Sequence, residues 1–123
     1  MTKYFARLEN SVGLQTVIAE NIEANALDAI SLDNTITVLF DSAKQQHSDF
    51  ESINIILRYC GHIIREIFGN VVFVEKRANG YQEHLSDSNL RKLLDGSHFG
   101  WIKTASNKKV NVMVVDLEKF GER

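Results

Sequence analysis

The chain has 123 residues, 44% hydrophobic and 24% charged, the balance of an ordinary folded domain, which argues against intrinsic disorder. Fourteen basic against sixteen acidic side chains give a formal charge of −2, so no overall positive field marks a nucleic-acid binder. One cysteine excludes an intrachain disulfide framework and a multi-cysteine zinc site.

No apolar run nears the roughly 18 residues of a bilayer span. Residues 1–7 lack the apolar stretch and cleavage site of a signal peptide, so a cytoplasmic protein without membrane contact is expected. There is no proline, no linker composition and no repeat, so 1–123 is read as one domain, helical over about 1–31 and sheet-rich over about 35–116.

Taken in chain order, Tyr4, Phe5, Leu8 and Val12 suggest a short first helix ended by Gly13. Leu14, Val17, Ile18, Ile22, Ala26, Ala29 and Ile30 recur at helical spacing and predict a second helix to Ser31. Leu32-Asp33-Asn34 then supplies turn formers, and the β-branched run Thr35 to Phe40 predicts a strand. Ser48-Asp49-Phe50-Glu51 has the form of a capping box. Behind it Phe50, Ile53, Ile56, Leu57, Cys60, Ile63, Ile64, Ile67 and Phe68 predict a long central helix stopped by Gly69.

Past Gly69 the period becomes that of strands. Val71 to Arg77 leads into Asn79-Gly80, a hairpin signal, and a two-residue loop there sets Lys76 opposite Glu83 and Val74 opposite Leu85. Ser86 caps a short helix with Leu90, Leu93 and Leu94 inward and Gly96 at its end. A second hairpin joins Trp101–Ala105 to Val110–Val115 around Ser106-Asn107-Lys108. The expected class is α+β: two N-terminal helices, one strand, a long central helix, then hairpin–helix–hairpin in an antiparallel or mixed sheet.

No catalytic constellation emerges. Cys60, on the apolar face of the expected central helix, reads as a small buried hydrophobe, and Arg58, His62 and Arg65 as a solvated face. His84 and His98 flank the short helix with Asp87 and Asp95 between them, but their spacing matches no metal motif, so no metal or cofactor is expected. Ile55 and Tyr59 lie off the main face of the expected central helix, where they read first as buried under the N-terminal helices; the alternative is that with His62 they form a candidate protein interface or dimer contact.

Charge is uneven: residues 76–109 carry Lys76, Arg77, Arg91, Lys92, Lys103, Lys108 and Lys109 against three acidic side chains. Those seven, with Phe99, Trp101 and Tyr81 as stacking surfaces, define a candidate nucleic-acid contact. The favoured reading is a small non-catalytic interaction or regulatory module whose partner is another protein or a second copy of itself. The alternative is a nucleic-acid-binding regulator using residues 76–109.

Overall fold

The computed structural model describes residues 3–18, 27–46, 50–76 and 82–120. It is mostly β. One sheet is built from β1 (Lys3–Arg7), β2 (Gln15–Ile18), β3 (Leu27–Ser31), β4 (Ile36–Asp41), β7 (Val71–Lys76) and the two-residue β8 (Gln82–Glu83), in the order β2-β1-β7-β4-β3 with β8 on β7. The other comprises β5 (Ile53–Tyr59), β6 (His62–Phe68), β9 (Ser97–Lys103) and β10 (Lys109–Asp116), in the order β6-β5-β10-β9. Its β5–β10 pair is parallel and its other pairs are antiparallel. The helix of regular length, α1, spans Asp87–Asp95.

The two sheets face each other across one apolar cluster. Val38, Phe40, Val71 and Phe73 come from the first sheet, and Ile55, Leu57, Ile67, Met113 and Val115 from the second. Leu93 of α1, Leu85 and Phe120 join the same cluster. Residues directly opposite across a ladder share a face. Phe5 and Arg7 of β1 therefore lie on the inter-sheet side with their partners Phe73 and Val71. By the same rule Phe99 and Trp101 of β9 lie on the inter-sheet side of the second sheet, opposite Met113 and Asn111. This alternation places the functional residues described below.

The expected α+β class is corrected. Instead of N-terminal helices, the described part of the first third holds β1, β2 and β3; residues 19–26 lie outside the described residues. The long central helix is a hairpin of β5 and β6 instead. Its apolar residues satisfy both periods, but Ile53, Ile55, Ile56, Ile63, Ile64 and Ile67 are β-branched and fit a pleated sheet better. Gly61, unfavourable inside a helix, takes φ +85° beside Cys60 at +49°. Two positive φ values are what the two-residue type I′ hairpin turn requires. Cys60 is accordingly exposed in a turn, not buried on a helix face. Ser48 of the expected capping box lies outside the described residues, and the Glu51 carboxylate receives Ser106 Oγ at 3.1 Å.

The later elements follow the local signals. Ser86 accepts a hydrogen bond from the Asn89 amide at 3.3 Å, capping α1, and Gly96 caps its end. Leu93 is buried, Leu90 is partly buried, and Leu94 turns out to be exposed. The β9–β10 hairpin closes through Thr104 and Lys108, with Asn107 at φ +69°. The first hairpin differs by one residue in register. Glu75 pairs with Glu83 and Lys76 with Gln82, so the connection covers 77–81, and Asn79-Gly80 lies outside the described residues. Glu75 explains this register. Its buried carboxylate accepts the Ser86 amide and Asn89 Nδ2, both at 2.7 Å, tying β7 to the start of α1.

Among the described residues no helix is long and apolar enough to cross a membrane.

Candidate recognition site at the mouth between the sheets

Arg7 ends β1 on the core-facing side, and its side chain is completely buried. Its backbone is held from below: the buried Asn54 of β5 donates from Nδ2 to Arg7 O at 2.7 Å and to Gly69 O at 2.8 Å. Beyond Arg7 the β1–β2 connection curls around the guanidinium. Nη1 donates to Ser11 O, to Ser11 Oγ at 3.0 Å and to Gly13 O at 3.0 Å. Asn10, at φ +53°, and Gly13, at φ +76°, make the turns that wrap this loop.

The same loop docks on the second sheet. Asn10 Oδ1 accepts the Asn111 amide at 2.8 Å, so the connection bridges β1 and β10. Arg7 consequently lies over the ring of Phe99, 5.8 Å from its centroid. A cavity of about 190 Å³ opens here, lined by residues including Arg7, Ser11, Val12, Phe99, Trp101 and Asn111. Its rim is apolar and open to solvent: Val12 is 81% exposed, Trp101 55% and Phe99 42%.

The charge on Arg7 is unusual in its surroundings. Among the described residues the buried acidic side chains Glu75, Asp116 and Asp33, the last on Lys92, all have partners. Glu75 holds the α1 cap, and Asp116 takes Arg58 Nη2 at 2.8 Å, with His98 Nδ1 at 3.7 Å and Lys119 Nζ at 4.0 Å. Among the described residues Arg7 has no carboxylate partner, and its buried Nε finds no acceptor. Burial lowers the guanidinium's pKa from its ordinary value, because low dielectric penalises the charged form. A buried polar group without a partner costs free energy, so such a group in a native structure calls for an explanation.

The residues expected from sequence are scattered. Ile55 is in the core between the sheets and cannot contribute to a surface. Tyr59 and His62 face each other beside the β5–β6 turn, both exposed, near the exposed Ile63 and Ile64. Lys76 is exposed at the end of β7, and Arg77 lies outside the described residues. Arg91 lines a shallow depression on α1, while Lys92 is bound 2.5 Å from Asp33. Lys108 reaches Glu51 at 3.5 Å. Lys103 and Lys109 pair across the end of β9 and β10, and the Lys109 ammonium lies 4.9 Å from the Trp101 ring centroid.

Of the seven basic residues, then, Lys103 and Lys109 flank the mouth. Phe99 and Trp101, read from sequence as stacking surfaces, line it. Arg7, Ser11 and Asn111 were not singled out. Phe5 and Arg7 at period two are the signal that could have found Arg7, had the segment been read as a strand.

His84 Nδ1 lies 3.2 Å from Leu85 O, and no cluster of three or more metal-ligating side chains occurs among the described residues. Comparison with protein-family models, with curated proteins and with solved structures found no match.

Proposed function

We propose that this chain is a non-catalytic recognition module that grips a protein partner at the mouth between its two sheets. The observation that carries this reading is the pair Phe99 and Trp101, solvent-exposed side by side on β9 along a cavity lined by a buried arginine. Aromatic and arginine side chains around a small pocket are what concentrates binding energy in protein interfaces. The cavity, about 190 Å³, is smaller than the roughly 300 Å³ at which ordinary small-molecule pockets begin. It is a little larger than the roughly 150 Å³ cavity that accepts benzene, so it suits one inserted side chain. Among the described residues its lining holds no carboxylate, imidazole or thiol to move a proton or attack a substrate.

The test is a displayed-peptide selection on the wild-type chain, counter-screened on the Phe99→Ser/Trp101→Ser double variant and on Tyr59→Ser/Ile64→Ser. Peptides that lose binding to the first variant and keep it on the second support the reading. Peptides with the opposite preference place recognition at the β5–β6 hairpin and refute it. Light scattering identifies a second copy as the partner if the wild type has dimer mass and the Phe99/Trp101 variant does not.

A second reading draws on Lys109 stacked over Trp101 beside Lys103: these residues resemble a platform for single-stranded nucleic acid. Anisotropy against a labelled single strand at two salt concentrations separates the readings. Phosphate contacts weaken steeply with salt.

A further inference from the structure

We infer that the cavity at the sheet mouth receives a carboxylate of the partner, seated on the unpartnered Nε of Arg7. The inference rests on the recognition reading above and names the chemical group recognised there. A guanidinium presents its donors as a planar fork, and its Nε and Nη2 protons match the two oxygens of one carboxylate. Among the described residues every hydrogen bond that the Arg7 side chain donates leaves from Nη1, to Ser11 and Gly13. That clamp fixes the plane of the group, and its Nε is buried and, among the described residues, unpartnered. A side chain wrapped so closely by its own loop is pre-organised, so little rotamer freedom is lost when a ligand arrives.

The anion's charge and size follow from the same geometry. One buried positive charge, with no carboxylate opposite it among the described residues, is neutralised by a monoanion. A dianionic phosphate would leave excess negative charge in a desolvated place, which is costly. The walls are apolar on the β9 side, where Phe99 and Trp101 stand, so the preferred group joins a carboxylate to a short apolar or aromatic stem. A peptide offers this either as a C-terminal carboxylate on an apolar residue or as an acidic side chain beside one.

Trp101 is the only tryptophan, so its emission reports on this site alone. The probes are phenylacetate, phenylacetamide and phenyl phosphate, each titrated into the full chain. Phenylacetate is expected to shift Trp101 emission saturably. The amide is expected to bind about tenfold or more weakly, the factor associated with a charged hydrogen-bonded contact. Arg7→Met is expected to remove the difference between acid and amide. Should that variant fail to fold, the Arg7 Hε resonance of the wild-type protein gives the same answer. It should move downfield with phenylacetate and stay in place with phenylacetamide.

Equal binding of acid and amide, or a stationary Hε resonance, overturns the carboxylate assignment while leaving an apolar recognition pocket. Tighter binding of phenyl phosphate than of phenylacetate overturns it in favour of a phosphate ligand. No response to any probe at millimolar concentration overturns it as well, and the peptide selection then reports independently on the recognition reading. To separate the two peptide sources, a peptide ending in Phe with a free carboxylate is compared with its amide and with an amidated peptide carrying Glu beside Phe.

Discussion

Replacing Gly61 with alanine gives opposite results for a hairpin and for a helix over Ile53–Phe68. In the hairpin Gly61 has φ +85°, and a Cβ built there meets nothing within 4 Å, so the effect is purely one of backbone conformation. Forcing an L-residue into the left-handed region costs about 1–2 kcal/mol. The stiffer unfolded chain returns about 0.4–1 kcal/mol of that. The net is a destabilisation of about 1 kcal/mol. Inside a helix the same change would stabilise by about 1 kcal/mol, the propensity difference between glycine and alanine.

Urea unfolding followed by far-UV circular dichroism resolves the two. With a slope near 2 kcal/mol/M, the midpoint should fall by about 0.5 M with the slope unchanged. Gly61→Asn should lie closer to wild type, since asparagine tolerates positive φ. A midpoint that rises for Gly61→Ala would refute the hairpin and restore the helix.

Other expectations follow from single contacts. Gly96→Ala places a Cβ 2.5 Å from Cε1 of the buried Phe120, and overpacking of this kind should cost about 1–3 kcal/mol in the same unfolding assay. Leu93→Ala removes the buried anchor of α1 from the inter-sheet cluster and should cost about 2–5 kcal/mol, seen as a lower melting temperature.

Asp33 gives a pH-dependent difference. Burial alone would raise its pKa, but the Lys92 ammonium and the Ile36 and Thr35 amides outweigh burial and hold the carboxyl below its ordinary value. A lowered folded-state pKa contributes stability that is present above the unfolded value, near 3.9, and is lost as pH falls through the folded one. The stability gap between wild type and Asp33→Asn should therefore be constant near neutrality and close only in acid below about pH 4. A gap that persists through that acid range would contradict the ion pair.

The sequence was informative at α1, where the signals were local and unambiguous. Ser86 caps α1 three residues from the amide it serves, and Gly96 ends it, so both boundaries were legible. The β9–β10 hairpin was legible at its turn, where Asn107 supplies the positive φ ahead of the valine-rich β10, though β9 begins at Ser97, four residues before the expected Trp101.

Ile53–Phe68 misled because its apolar residues fall on one helical face as well as on strand faces. The turn at Cys60-Gly61 carries no asparagine or aspartate to announce it. The one-residue register error at β7–β8 arose because Glu75 is buried for the sake of the α1 cap, a contact made only after the chain folds back. The candidate site was illegible for a related reason. Arg7 reads as a solvated surface residue until β1 is paired with β7 and the Ser11–Gly13 loop is closed over β10.

On the proposed reading a partner enters between the sheets beside Phe99 and Trp101. Amide chemical-shift mapping with a selected peptide tests it most directly, because it locates the ligand without assuming a residue. The largest changes are expected at Ser11, Gly13, Phe99, Trp101 and Asn111. Changes centred on Tyr59, His62, Ile63 and Ile64, with the mouth unmoved, would contradict it.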